Sequence, residues 1–162
     1  MKEKFILFYF DVAKRVAELS HAKRLKVGAV IVKDHRILSY GYNGTPSGFD
    51  NCCEFEVTEF QTEYGIGSKL VKTGELKTKP EVIHAEMNAI AKIAYHGDSC
   101  KDATMFLTHA PCIECAKIIL QSGICNVYYL EDYRSTAGVD LLKSRAITVT
   151  KYEKDSLLRA PT

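Results

Sequence analysis

The sequence predicts an α/β domain in which helices are layered on a central sheet whose later strands run parallel. Two observations predict this class. From residue 103 onward, apolar runs of strand length alternate with segments of helical period, in the order strand, helix, strand, helix, strand. Before residue 43, two β-branched apolar runs are joined by the short link Lys33-Asp34-His35, which allows a hairpin and no crossover.

Taken in order, Phe5, Phe8, Val12, Val16 and Leu19 recur at helical spacing, with Lys14, Arg15 and Glu18 on other faces, so the chain opens with an amphipathic helix. Residues 27–32 and 36–42 form the antiparallel strand pair. Residues 44–80 are loop-like, with Gly44-Thr45-Pro46-Ser47-Gly48 and then Gly65, Gly67 and Gly74, although 54–64 has the makings of a short helix. A loop region of that length is usually functional or mobile. Residues 84–95 carry helix-spaced Met87, Ile90, Ala91 and Ala94, and Gly97 is a stop signal. A buried-type strand at 103–108, a helix at 112–121 ending at Gly123, and a strand at 125–130 follow. A helix at 139–144, a strand at 146–152 and a tail at 154–162 complete the chain.

A chain of 162 residues suits one compact domain, here 1–162, and 46% hydrophobic with 26% charged residues is ordinary for a soluble protein. The apolar run at 5–10 is flanked by Lys2, Glu3, Lys4 and Asp11, so it is neither a signal segment nor a membrane span, and a cytoplasmic location is expected. The six cysteines are then read as thiols in a reducing compartment, with the Cys52-Cys53 pair as small buried hydrophobes. A net charge of +2 announces no nucleic-acid partner, and the basic cluster at 21–26 is sized for a phosphate or two.

The most informative pattern is His84-Ala85-Glu86 together with Pro111-Cys112-Ile113-Glu114-Cys115. A catalytic zinc keeps three protein ligands and leaves its fourth position to water, and His84, Cys112 and Cys115 supply three. The C-x2-C spacing puts both sulfurs on one side of a first helical turn, where Pro111 suits the entry and the helix N-terminus stabilises negative sulfur. Two thiolates neutralise the formal charge of Zn²⁺ and weaken it as a Lewis acid, so the water needs a base, and Glu86 is that base. A closed structural site is the alternative. A fourth ligand could come from Cys52, Cys53, Cys100, Cys125 or another histidine, and no spacing nominates any of them. His21, His35, His96 and His109 are read as surface or hydrogen-bonded residues.

H-x-E followed by P-C-x-x-C is the pattern of zinc-dependent nucleobase deaminases, and the chain resembles the cytidine deaminase-like superfamily, most closely the deoxycytidylate (dCMP) deaminases. The resemblance is carried by residues 26–32 (KVGAVIV), 41–48 (GYNGTPSG) and 84–90 (HAEMNAI), extends over about 20–145, and includes a phage-like Asn51-Cys52-Cys53. The long segment between Asn43 and His84 separates it from deaminases of tRNA or free cytidine. The resemblance implies a three-layer α-β-α fold with a five-stranded mixed sheet, and hydrolysis of dCMP to dUMP and ammonia with Glu86 as proton shuttle. It further implies that the Ala85 N–H meets the base O2, the Ala110 carbonyl holds the 4-amino group, and Asn43 binds the sugar. Arg24 and Arg134 fall to the 5′-phosphate, with Tyr133 beside Arg134 as a further substrate-binding residue. Homohexamers are implied, activated by dCTP and inhibited by dTTP with Mg²⁺ at a second site that includes Tyr42 and Gly44. No nucleic-acid or membrane partner is implied. Certain phage members bind a second zinc through a cysteine whose position is Ala22 here, so no second zinc is expected.

Overall fold

The structure is a computed structural model that describes residues 1–63 and 67–153; the expectations at 64–66 and for the 154–162 tail lie outside the described residues. The elements are α1 (Glu3–Glu18), β1 (Gly28–Lys33), β2 (Arg36–Tyr42), β3 (Glu54–Glu63), β4 (Gly67–Thr78), α2 (Ala85–Tyr95), β5 (Thr104–His109), α3 (Ile113–Gln121), β6 (Asn126–Glu131), α4 (Ala137–Lys143) and β7 (Thr148–Lys151).

Five strands make the central sheet, in the order β2-β1-β5-β6-β7. β1 is antiparallel to both neighbours, whereas β5, β6 and β7 are parallel, as the crossover helices α3 and α4 require. The β1–β2 hairpin turns through Asp34 and His35, both with positive φ, with Lys33 opposite Arg36. Such a two-residue turn matches the strand twist.

Alternate residues of each strand serve different layers. Ala29, Ile31, Met105, Leu107, Val127 and Tyr129 pack with α2, α3 and α4, while Val30, Val32, Phe106 and Leu130 pack with α1. Burial on both faces explains why these strands read as continuous apolar runs. The result is the expected three-layer arrangement around a five-stranded mixed sheet.

Three expectations are corrected. In α1 the buried stripe is Ile6, Tyr9, Phe10, Ala13, Val16 and Ala17, while Phe8 and Leu19 are exposed. A side chain on Gly28 would meet the Ala13 carbonyl oxygen at 2.1 Å, so the helix face against the sheet is chosen by close approach and not by side-chain size. In α2 the buried residues are Ala85, Glu86, Ala89 and Ile93, and Ala91 and Ala94 face outward. Gly41 selects that face, since a side chain there would meet the Ala85 carbonyl oxygen at 2.2 Å.

The third correction is larger: residues 54–63 are not helical but form β3, paired antiparallel with β4 as a separate two-stranded arm. Glu54-Phe55-Glu56-Val57 alternates with period two, and the β-branched Val57, Thr58, Val71 and Thr73 favour strand over the helix that its glutamates suggest. Cys52 is also exposed, while Cys53 is buried as expected.

Candidate metal centre

The antiparallel bridge Gly44–Ile83, with N–H to carbonyl distances of 3.1 and 3.0 Å, delivers the chain to the start of α2. His84 is the N-cap there, in extended conformation, and its side chain makes no capping hydrogen bond. Cys112 is likewise the extended N-cap of α3, without a side-chain cap. Both side chains are therefore free to turn toward a common point beyond the helix ends, and Cys115 joins them from the first turn of α3.

The loop carrying Cys112 is gripped from two sides. The Ala110 N–H donates to the Glu131 carbonyl at 2.8 Å, tying the loop to the end of β6. On the other side α4 presses on it through Gly138, where a Cβ would lie 2.1 Å from the Pro111 carbonyl oxygen and 2.7 Å from that of Cys112.

His84 Nδ1 lies 3.5 Å from Cys112 Sγ and 3.3 Å from Cys115 Sγ, and all three donor atoms lie within 4.8 Å of one another. Zinc–sulfur and zinc–nitrogen bonds of about 2.3 and 2.0–2.1 Å in a tetrahedron put nitrogen and sulfur about 3.6 Å apart, so this donor set fits zinc. Among the described residues the group holds these three donors and no carboxylate.

A hydrogen bond couples the two sulfurs. The Cys115 thiol and then the His84 ring stabilise the Cys112 thiolate, holding it down to about 3 against the opposing effect of burial. The same hydrogen bond, with burial, pushes Cys115 up. His84 is raised, chiefly by its bond to Cys112. Glu86 is 4% exposed, and burial raises its carboxyl above the usual range, against the stabilising effects of its own N–H and of His84.

Of the other expected residues, Arg134 is exposed, its guanidinium 5.4 Å from the Tyr133 ring centroid, and its charge is felt at His84. Ala85 and Ala110 are buried, at the start of α2 and beside Pro111. Arg24 is exposed, with Nη1 donating to Thr78 Oγ1 at 3.1 Å.

Asn43 does more than sequence reasoning assigned. Its Oδ1 accepts from the Val27 N–H and its Nδ2 donates to the Leu25 carbonyl, both at 2.8 Å, so the amide brackets residues 25–27. Tyr42 and Gly44 flank it in the turn, and the Tyr42 carbonyl accepts from Asn88 Nδ2 at 2.8 Å. Asn88 thus locks the first turns of α2, which carry Glu86, to this turn. Sequence reasoning passed over Asn88, Gly138 and Glu54. A glycine inside a helical pattern is a detectable signal of close approach, whereas a lone asparagine or glutamate is not.

The family described as the cytidine and deoxycytidylate deaminase zinc-binding region matches residues 3–131. Deoxycytidylate deaminase of Enterobacteria phage T4 is 34% identical over 172 residues, covering 91% of this chain and 89% of that protein. ComE operon protein 2 of Bacillus subtilis is 36% identical over 152 residues, covering 93% and 72% respectively. The crystal structure of dCMP deaminase from the cyanophage S-TIM5, in complex with dCMP and dUMP, superposes with a TM-score of 0.77 at 40% identity, covering 94% of this chain and 99% of that one.

Proposed function

The chain belongs to the cytidine and deoxycytidylate deaminase zinc-binding family, and on that premise we propose that it hydrolyses dCMP to dUMP and ammonia, a supply of dUMP for thymidylate synthesis. The observation that carries this reading is the convergence of His84, Cys112 and Cys115 donors at two helix N-termini, with the buried carboxyl of Glu86 in the adjoining turn. The similarity to a cyanophage enzyme crystallised with dCMP and dUMP supports the choice of substrate.

Zinc, when bound by these three residues, supplies Lewis acidity that lowers the pKa of a water molecule. The remaining work is the chain's own. As the water oxygen bonds to C4 of cytosine, Glu86 accepts one proton and passes it to N3. It then accepts the second proton and hands it to the amino nitrogen, the C4–N4 bond breaks, ammonia leaves and a carbonyl remains. A carboxyl raised by burial suits a group that must hold a proton between steps.

In this reading the Ala85 N–H, one of the first-turn donors without an intrahelical partner, meets the base O2, and the Ala110 carbonyl meets the amino group. Asn43 orients the sugar from the turn that it also braces. Arg24 and Arg134, with Tyr133 beside the latter, receive the 5′-phosphate, whose charge separates dCMP from deoxycytidine. Chain length supports one domain and the charged flanks of the 5–10 apolar run support a cytoplasmic location, while family resemblance alone supports a homohexamer and control by dCTP and dTTP with Mg²⁺ near Tyr42 and Gly44. Among the described residues no helix is long and apolar enough to cross a membrane.

The test is an ultraviolet assay of dCMP, deoxycytidine and dCTP as substrates, repeated with dCTP added at low dCMP. The expected result is preference for dCMP, and activation by dCTP of a sigmoidal rate curve. Turnover of deoxycytidine as efficient as that of dCMP would overturn the monophosphate reading, and a hyperbolic curve indifferent to dCTP would overturn the regulatory one. Arg134→Ala should damage dCMP turnover far more than deoxycytidine turnover.

A further inference from the structure

Glu54 is 7% exposed, yet among the described residues no cation is paired with it. Its Oε1 accepts instead from two consecutive backbone N–H groups, Lys23 at 3.0 Å and Arg24 at 3.2 Å. Directly opposite Glu54 in the β3–β4 register stands Thr78, whose Oγ1 accepts from Arg24 Nη1 at 3.1 Å. One cross-strand pair at the foot of the arm therefore holds both ends of Arg24, its backbone through Glu54 and its guanidinium through Thr78.

A carboxylate oxygen that receives two amides is a charge-assisted contact, and burial makes the loss of such an acceptor costly to the two N–H groups. Beyond Arg24, Leu25 and Val27 are tied to Asn43, and the next residue, Gly44, is bridged to Ile83, the neighbour of His84. Hydrogen bonds alternating with peptide links thus tie Arg24 to the start of α2, where His84 lies. We propose that Glu54 and Thr78 are positioning residues for 5′-phosphate recognition, the foot of the β3–β4 arm setting where Arg24 meets the substrate.

This rests on the reading of Arg24 as a phosphate contact, and the experiment separates the two. With the zinc-loaded protein, kcat/KM is measured for dCMP and deoxycytidine in Arg24→Ala, Glu54→Ala, Glu54→Gln, Thr78→Val and the Glu54→Ala/Arg24→Ala double variant. Arg24→Ala is expected to lower the dCMP-to-deoxycytidine ratio. Glu54→Ala should lower it by about tenfold, less than the roughly hundredfold that a full ångström of misplacement can cost, while deoxycytidine turnover holds. Glu54→Gln, which keeps an acceptor oxygen, should recover part of the loss, and Thr78→Val should reproduce a smaller part. The double variant should be no worse than Arg24→Ala alone.

If Arg24→Ala lowers the ratio but Glu54→Ala and Thr78→Val leave it intact, the positioning role is wrong and the phosphate contact stands. If Arg24→Ala leaves the ratio intact, the phosphate reading itself fails and takes the inference with it. Equal losses on both substrates in Glu54→Ala, or additive losses in the double variant, also overturn the positioning role. Should Glu54→Ala fail to fold, the exposed Thr78→Val and the conservative Glu54→Gln decide by the same ratio.

Discussion

Gly138→Ala is the substitution that most directly tests how the metal centre is supported. Within a helix, alanine is ordinarily favoured over glycine by up to about 1 kcal/mol, so on propensity alone the variant should be more stable. At this position the added Cβ would sit 2.1 Å from the Pro111 carbonyl oxygen, 2.7 Å from the Cys112 oxygen and 2.8 Å from the Cys112 carbonyl carbon. These are backbone atoms, so no rotamer change relieves the overlap, and either α4 retreats by more than an ångström or the Pro111–Cys112 segment moves. Overpacking of this kind costs about 1–3 kcal/mol or more and exceeds the propensity gain. We expect a net loss of about 2 kcal/mol, read as a melting temperature lower by about 4–8 °C. Because the displaced segment carries Cys112, zinc retention against a chelator should weaken, and deaminase activity should fall by more than tenfold. The assays are thermal melts with and without chelator, metal analysis after dialysis, and kcat/KM. A variant that melts at or above the parent temperature with full zinc and activity would refute the claim that α4 buttresses the cysteine loop.

Glu86→Gln should retain one zinc per chain by metal analysis and lose at least about a hundredfold in turnover, since the amide cannot carry protons; substantial residual activity would remove the shuttle role. Asn88→Ala deprives the half-buried Tyr42 carbonyl of its donor, at a cost of about 1 kcal/mol and about 2–4 °C in melting temperature. His109 titrates below its ordinary value because burial penalises its charged form, partly offset by Glu131, and its Nδ1 lies 3.1 Å from Thr108 Oγ1. Folded His109 therefore takes up its proton at lower pH than the unfolded chain does, so its contribution is full above about pH 6.5 and is lost as pH falls through the folded pKa. His109→Gln should flatten the melting temperature against pH on that acid side, and an unchanged slope would count against the assignment.

That His84, Cys112 and Cys115 would come together, with Glu86 in the adjoining turn, was legible because the information is local: two short motifs at helix starts specify residue types, spacing and the direction in which side chains leave the helix. The parallel half of the sheet was legible for a related reason, as strands buried on both faces must be continuously apolar. What escaped depends on backbones approaching across the fold. The apolar surface of α1 spans more than one stripe, and side-chain hydrophobicity ranks Phe8 above Ala13, yet Gly28 lies against the Ala13 backbone and turns Phe8 outward. The arm was misread because glutamates at 54, 56, 59 and 63 favour helix, while the pairing that overrides them is with residues 67–78. For Asn43, the residue type announces hydrogen bonding, but not that each end of its amide holds one of Leu25 and Val27.

In the proposed function, the residues assigned to the reaction and those assigned to its specificity are held by different forces, and that division has a measurable consequence. His84, Glu86, Cys112 and Cys115 lie at the N-caps and first turns of α2 and α3, whose inner faces join the main core through Ala85, Ala89, Ala116 and Ile119, each 0% exposed. Arg24, by contrast, belongs to an irregular segment, and what locates it is hydrogen bonding to Glu54, Thr78 and, through Leu25 and Val27, Asn43. Segments held by few buried apolar contacts open at lower free energy than those anchored in a core. Urea below the global unfolding transition should therefore lower the dCMP-to-deoxycytidine ratio of kcat/KM first, while zinc content and deoxycytidine turnover persist. If both substrates decline in parallel with loss of zinc, the phosphate-binding frame and the metal centre unfold as one unit and the division is wrong.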